Sequence, residues 1–476
     1  MRRVILLAIL AIATQNLFGQ NVEETYPTEY WCPNDTFILK FKDYPKLFYY
    51  TASRKDKGSP GTDANLDEYF ILYYGQDSIK VNYHNKLPYA HVIYFNFASP
   101  KGKTTFRFHY NPVPSYFPGS YMEKNRGNIQ FDLPEVYELA NIIWTLSPSG
   151  QRATDLYNTG EYYNKVRAYF KPYLDHPIFR SLDFPDSLYS LMYYEFRENS
   201  FAFNFKEPNK EDVTQLLFNG PYYYVFGDEL SDSSLFGKLK PMVEDFAKKS
   251  RFRSFYKKNR DYYSKLISRE KELLPIRPMW TWLEDQFPNN KYQSYRIVFS
   301  SLIGGSHSTQ QYSTYSDNEW FKENVMFICG TARYDSMPEL TEKQKEGLMS
   351  GVVFTEIDHN YVNPVSNKYV RSIDSIFSER NGWVRRDNFN DLYERPVSVF
   401  NEYMTHAAFC LYIADSYDKP TADLVIDRRV KMMVERRSFI KFKEFNDELI
   451  RLHQQYKDMK LQQLYPLILD WCRKQG

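Results

Sequence analysis

Cysteine is scarce, with four in 476 residues: Cys32, Cys329, Cys410 and Cys472. They lie far apart and form no Cys-x-x-Cys pair, so a thiolate zinc site of ordinary spacing is excluded. A disulfide stays open in an oxidising compartment, with the pairing not fixed by spacing. The plainest reading is of buried apolar side chains. The chain also lacks internal repeats and low-complexity tracts. Beyond its first residues it has no apolar stretch near the ~20 residues that a spanning helix needs. No transmembrane segment is therefore expected in the mature chain. Net charge is only +2, and no basic block stands out. Phosphate binding needs clustered Lys and Arg, so nucleic acid is not an expected partner.

What is there begins with an export signal. Arg2 and Arg3 precede an apolar run from Val4 to Ala13, and Gly19 offers a small residue near a cleavage point. Residues 1–20 read as a secretory signal peptide, and the protein is expected to be exported, either periplasmic or secreted. The remaining length can bury a large core. Aromatic residues make up 18%, with 42 Tyr and 36 Phe. Such residues suit strands and binding surfaces, including sugar-stacking ones. The plainer expectation is a fold with many half-buried phenols.

The expected fold class is α+β. A β-rich N-terminal module spans 21–128, and a mainly helical domain with a small sheet spans 129–476. In the first, Phe37 to Phe41, Tyr69 to Tyr74, Ser78 to Tyr83, His91 to Phe97 and Thr104 to Tyr110 read as strands, separated by Gly- and Pro-bearing turns. Pro112 to Gly119 reads as a linker. The period then changes to helical over Pro134 to Leu146, with Pro134 in the first turn. Further helical patterns cover about 160–172, 234–271 and 436–459, judged by apolar spacing. Tyr295 to Leu302 and Asn324 to Cys329 read as strands, followed by a helix over Leu348 to Asn363.

That last helix carries the most informative segment, Phe354-Thr-Glu-Ile-Asp-His-Asn-Tyr-Val-Asn-Pro364. Thr355, Glu356 and His359 are spaced to share a face, and Pro364 is expected to end the helix. A zinc-peptidase helix reads His-Glu-x-x-His, two imidazoles holding Zn²⁺ and the Glu taking a proton from the metal-bound water. Here the first histidine is replaced by Thr355, a neutral hydroxyl and a poor zinc ligand. A second helix, Pro396 to Ala414, offers Glu402 and, one turn on, His406. Asp358 points off the Glu356 face and reads as solvated or capping. Tyr361 and Tyr403 read as packing residues and His307 as a loop histidine after a strand.

These residues carry a resemblance. The segment is similar to the helix reading roughly His-Glu-Phe-x-His-x-x-Val-Asn-Pro in the domain-of-unknown-function 4932 family, a group of exported bacterial zincin-like proteins. It matches at Glu356, His359, Val362, Asn363 and Pro364 and departs at Thr355. Asn401-Glu402-Tyr403, the helix containing Glu138 to Leu146, and Gly304-Gly305-Ser306-His307 extend the likeness over about residues 130 to 415. The resemblance implies a metallopeptidase-like fold, with an active-site helix beneath a sheet whose edge strand can hold an extended peptide. It implies Glu356 as general base, and His359 and Glu402 as zinc ligands. His406, by its spacing, is a further candidate ligand in place of the missing histidine.

Three function classes follow. One is an exported metallopeptidase-like hydrolase with a divergent zinc site, acting on a peptide or protein. The second is a non-catalytic descendant that binds a peptide, protein or glycan. The third, a glycoside hydrolase, needs two carboxylates about 5–10 Å apart across a cleft, and nothing in the sequence singles out such a pair.

Overall fold

The computed structural model describes residues 117–475 apart from 219–220, 223–224, 227–230, 232, 317–318, 386–392 and 394; over 313–316 and 319–320 it gives backbone alone. Before residue 117 it gives only the backbone of strand segments between Glu29 and Tyr110. The expected signal peptide, and most of what the β-rich reading of 21–128 rests on, lie outside the described residues. The chain divides into two units, 1–116 and 117–476, and the second is described here.

This unit is α+β and mainly helical, with a small mixed sheet of four strands. The strands are β1 (Asn128–Asp132), β2 (Ser294–Ser300), β3 (Ser308–Ser316) and β4 (Glu319–Cys329). Their order is β3-β4-β2-β1. β2 runs parallel to both its neighbours, and β3 lies antiparallel on the outer side of β4, with Gln310 opposite Val325 and Tyr312 opposite Glu323. β2 is buried almost throughout, as a continuous apolar run in a parallel sheet should be. β3, Ser-Thr-Gln-Gln-Tyr-Ser-Thr-Tyr-Ser, has no such run. Pairing with β4 makes it a strand, not its own hydrophobicity.

The helices used below are α1 (Glu135–Leu146), α2 (Glu161–Phe170), α3 (Asp186–Arg197), α4 (Leu235–Lys249), α5 (Phe252–Lys258), α6 (Arg260–Leu273), α7 (Glu342–Ile357), α8 (His359–Asn367), α9 (Pro396–Ser416), α10 (Lys419–Lys431) and α11 (Phe442–Gln455). The pattern over 234–271 resolves into α4, α5 and α6, the first break falling at Arg251 in the left-handed region (φ 52°). α9 is the hub of the helical half. It is buried nearly all round from Val397 to Ile413, as expected of a helix without a polar face, and it packs against α7, α8, α10 and α11. Among the described residues no helix is long and apolar enough to cross a membrane.

α7 starts at a reciprocal cap. Thr341 Oγ1 accepts from Gln344 N at 3.2 Å, and Thr341 N donates to Gln344 Oε1 at 3.0 Å. The helix then packs against β4, β3, α6, α9 and α10. The expectation of a single helix ended by Pro364 is corrected at both points. α7 ends at Asp358, whose carbonyl accepts from Tyr361 N at 2.8 Å and Val362 N at 2.7 Å, and α8 begins at His359. Pro364 lies inside α8. A proline there cannot donate to the carbonyl four residues back. That carbonyl, of Asn360, accepts from Asn290 Nδ2 instead.

The tyrosine surplus has a structural use in this unit. Buried phenols satisfy buried carboxylates. Glu323 accepts from Tyr222 OH at 2.6 Å and Tyr121 OH at 2.9 Å, and also from Ser294 Oγ at 2.8 Å. Glu138, fully buried on α1, accepts from Tyr162 OH at 2.6 Å, which meets Tyr263 OH at 2.7 Å. The three described cysteines are buried thiols.

Burial pushes the Glu138 carboxyl up to about 7, against the lowering hydrogen bonds from Tyr162 and Ser300. In the unfolded chain this group ionises near 4.5, so between pH 4.5 and 7 the folded state holds the extra proton. Stability should therefore fall as pH rises through that window and level off above it, by roughly 3 kcal/mol at most. Glu138→Gln is expected to flatten this part of the pH profile in urea denaturation. An unchanged profile would contradict the assignment.

Candidate functional site

The two candidate helices do converge. His359, at the start of α8, brings Nε2 to 3.5 Å from Glu402 Oε1 on α9. Its other ring nitrogen, Nδ1, lies 3.5 Å from Thr405 Oγ1. Glu402 is buried, and His359 is half-buried. Glu356 is half-buried near the end of α7. Burial pushes its carboxyl up to about 7; His359 opposes the rise, Glu402 adds to it as a like charge, Arg437 opposes it, and Glu198 adds a little more. Glu402 behaves in the opposite way. Burial would raise it, but the hydrogen bond from His406 and the charges of Arg437 and His359 hold it well below the usual carboxylate range.

His406 and an arginine beside it make that difference. Arg437 Nη2 lies 2.7 Å from Glu402 Oε2, and the same oxygen is 3.5 Å from His406 Nε2. Arg437 Nη1 also contacts His406 Nε2, and Nη2 contacts Tyr393 OH. On the other ring edge, Arg429 Nη1 lies 3.0 Å from His406 Nδ1. Burial and the two guanidinium groups, outweighing the pull of Glu402, push His406 down to about 3. The imidazole is therefore neutral.

The zinc ion implied by the resemblance meets a donor set that does not fit it. Thr355, in the position of the first histidine, spends its hydroxyl proton on Gly351 O one turn back, at 2.9 Å. Glu402 offers its Oε2 to a guanidinium, and both nitrogens of His406 face guanidinium groups. Among the described residues no group of three His, Cys, Asp or Glu side chains is arranged to hold a metal ion. What the arrangement holds well is a cation supplied by the chain itself.

Other residues fall as follows. Asp358 is not solvated; it is fully buried, and both its carboxylate oxygens lack a side-chain partner among the described residues. Burial, then the like charges of Glu402 and Glu356, raise its pKa well above the ordinary value. Tyr361 and Tyr403 are buried. The Tyr361 phenol meets Tyr295 OH at 2.7 Å, and the Tyr403 phenol donates to Trp383 O at 2.6 Å. His307 lies just before β3, and burial, with the charges of Arg197 and Arg333, pushes it down to about 3.

Arg429 and Arg437 were not singled out by the sequence reasoning. The signal was a run of basic residues, Asp427-Arg-Arg-Val-Lys-Met-Met-Val-Glu-Arg-Arg437, which looks like a solvated helix face. Its fold shows otherwise. A π-helical turn, Met432–Arg436, follows α10 and closes with Arg437 N donating to Met432 O at 3.0 Å. The wider turn re-aims the residue that follows, as such turns do at functional positions.

Gly351 belongs to the same arrangement. A Cβ there would come 2.0 Å from Arg429 Nη2 and 2.7 Å from Phe409 Cζ. Helix propensity alone would make Gly351→Ala stabilising by about 1 kcal/mol. The clash should reverse the sign, to a loss of about 2 kcal/mol. Chemical denaturation of the variant checks this, and a stabilised Gly351→Ala would contradict it. In comparisons with known proteins, no family model, no curated protein and no solved structure matches this chain.

Proposed function

We propose that the protein is an exported binding protein: a non-catalytic descendant of a zincin-like metallopeptidase that holds an extended peptide or protein segment. In this reading a β-rich N-terminal module over 21–128 precedes the binding domain. The observation that carries it is the 2.7 Å contact of Arg437 with Glu402. A carboxylate already neutralised by a guanidinium is a weak partner for a second cation. Support for the peptide comes from β3. It is the outermost strand of its sheet, it has one strand neighbour among the described residues, and α7 with Glu356 packs beside it. Open N–H and C=O groups of an edge strand can take an added strand.

A second reading, peptide hydrolysis with Glu356 as general base, is favoured by one observation. Glu356 is pushed up to about 7, where a carboxylate is suited to exchanging protons at neutral pH. In that reading a zinc ion on His359 and Glu402 would act with it, and the hydrolase would need Glu402 released from Arg437.

Both readings are tested by presenting fluorescent unstructured peptides and soluble glycans to the purified mature chain. Saturable peptide binding by anisotropy, with no cleavage over a day, is expected. Cleavage that Glu356→Gln abolishes would establish the hydrolase instead. A failure to bind any peptide would sink the peptide-binding reading, and binding of glycans alone would redirect it.

A further inference from the structure

We propose that Arg437 is the built-in cation of this site: its guanidinium engages Glu402 and His406, two of the three candidate zinc ligands, and excludes a metal ion from them. The proposal rests on the zincin-like reading of the scaffold, but its failure is separable from failure of the peptide-binding claim.

Three features hold Arg437 in this position, and a fourth fixes its neighbour His406. The π-helical turn sets its backbone. The next residue, Ser438, adopts the left-handed region (φ 61°), a strained choice for a residue with a Cβ, and its carbonyl accepts from Arg385 N at 3.0 Å. The guanidinium carbon lies 5.5 Å from the centroid of the Tyr393 ring and 5.6 Å from that of Phe439. Arg429 occupies the far edge of His406, in space that exists because residue 351 is glycine. An incidental surface ion pair has no such support and contributes little.

The electrostatic consequence is specific. Without Arg437, the carboxyls of Glu356 and Glu402 would face the imidazoles of His359 and His406 with no fixed positive charge bonded to Glu402. Two imidazoles and a carboxylate are the donor types that zinc takes. A merely structural arginine would leave an unstable pocket on removal, indifferent to metal. An arginine standing in for a cation would leave a site that a divalent ion can fill.

The test compares the wild-type chain, Arg437→Met and Arg437→Lys, each exposed to equimolar zinc, desalted, and measured by elemental analysis and thermal unfolding with and without zinc or a chelator. Wild type and Arg437→Lys are expected to retain no stoichiometric zinc and to keep an unchanged Tm. Arg437→Met is expected to retain about one zinc ion per chain and to gain several degrees of Tm with zinc. Folding of Arg437→Met only in the presence of zinc supports the proposal. If it folds in neither condition, Arg437→Gln carries the same comparison with the same outcomes. Stoichiometric zinc in the wild type, or a folded neutral variant indifferent to zinc, would overturn it. Peptide binding by a wild-type chain that holds zinc would sink this proposal and leave the binding claim standing.

Discussion

An ionised carboxylate inside a helical core must be given a counter-charge, and in this protein Arg437 supplies it to Glu402. Removing water from a carboxylate costs several kcal/mol unless charge and hydrogen bonds replace it. Glu402 sits on α9 within its buried stretch from Val397 to Ile413, so the requirement is strict. The π-helical turn after α10 leads into the residue that satisfies it, and His406 and Arg429 pack around that pair. Glu356, with no bonded cation, carries the opposite consequence and is pushed up to about 7. Two glutamates within one site are thus driven apart by their surroundings, one held ionised and the other poised to hold a proton.

The same logic governs the rest of the unit. Two of its buried carboxylates are met by phenols. Tyr162 serves Glu138, and Tyr121 and Tyr222 serve Glu323 on β4. Part of the tyrosine content of this unit is therefore internal solvation. The sheet remains small and mixed, and its polar outermost strand is a strand only because β4 pairs with it.

The sequence made the main elements legible where periodicity was strong. β2 and α9 fall within a residue or two of their expected bounds, because a buried strand and a buried helix both carry long apolar runs. β1 and β3 were not legible. β1 is short and its partner lies far along the chain, and β3 is polar although its partner β4 follows directly. At the site, Glu356, His359, Glu402 and His406 could be found by spacing alone, since helical neighbours recur at three and four residues. Their convergence across two helices is tertiary and becomes visible only in the fold. Arg429 and Arg437 were not singled out, and the π turn that leads into Arg437 leaves no trace in helical spacing. Asp358 was misread for a related reason: the break at its own position turns it inward.

The most direct measurement is a double-mutant cycle on stability, with Glu402→Gln, Arg437→Met and the two combined, in urea at neutral pH without added metal. If Arg437 exists to neutralise Glu402, each single change strands the other group, and the double variant should recover stability. The coupling is expected at about 1–3 kcal/mol. Losses that simply add, within about 0.5 kcal/mol, would contradict the account.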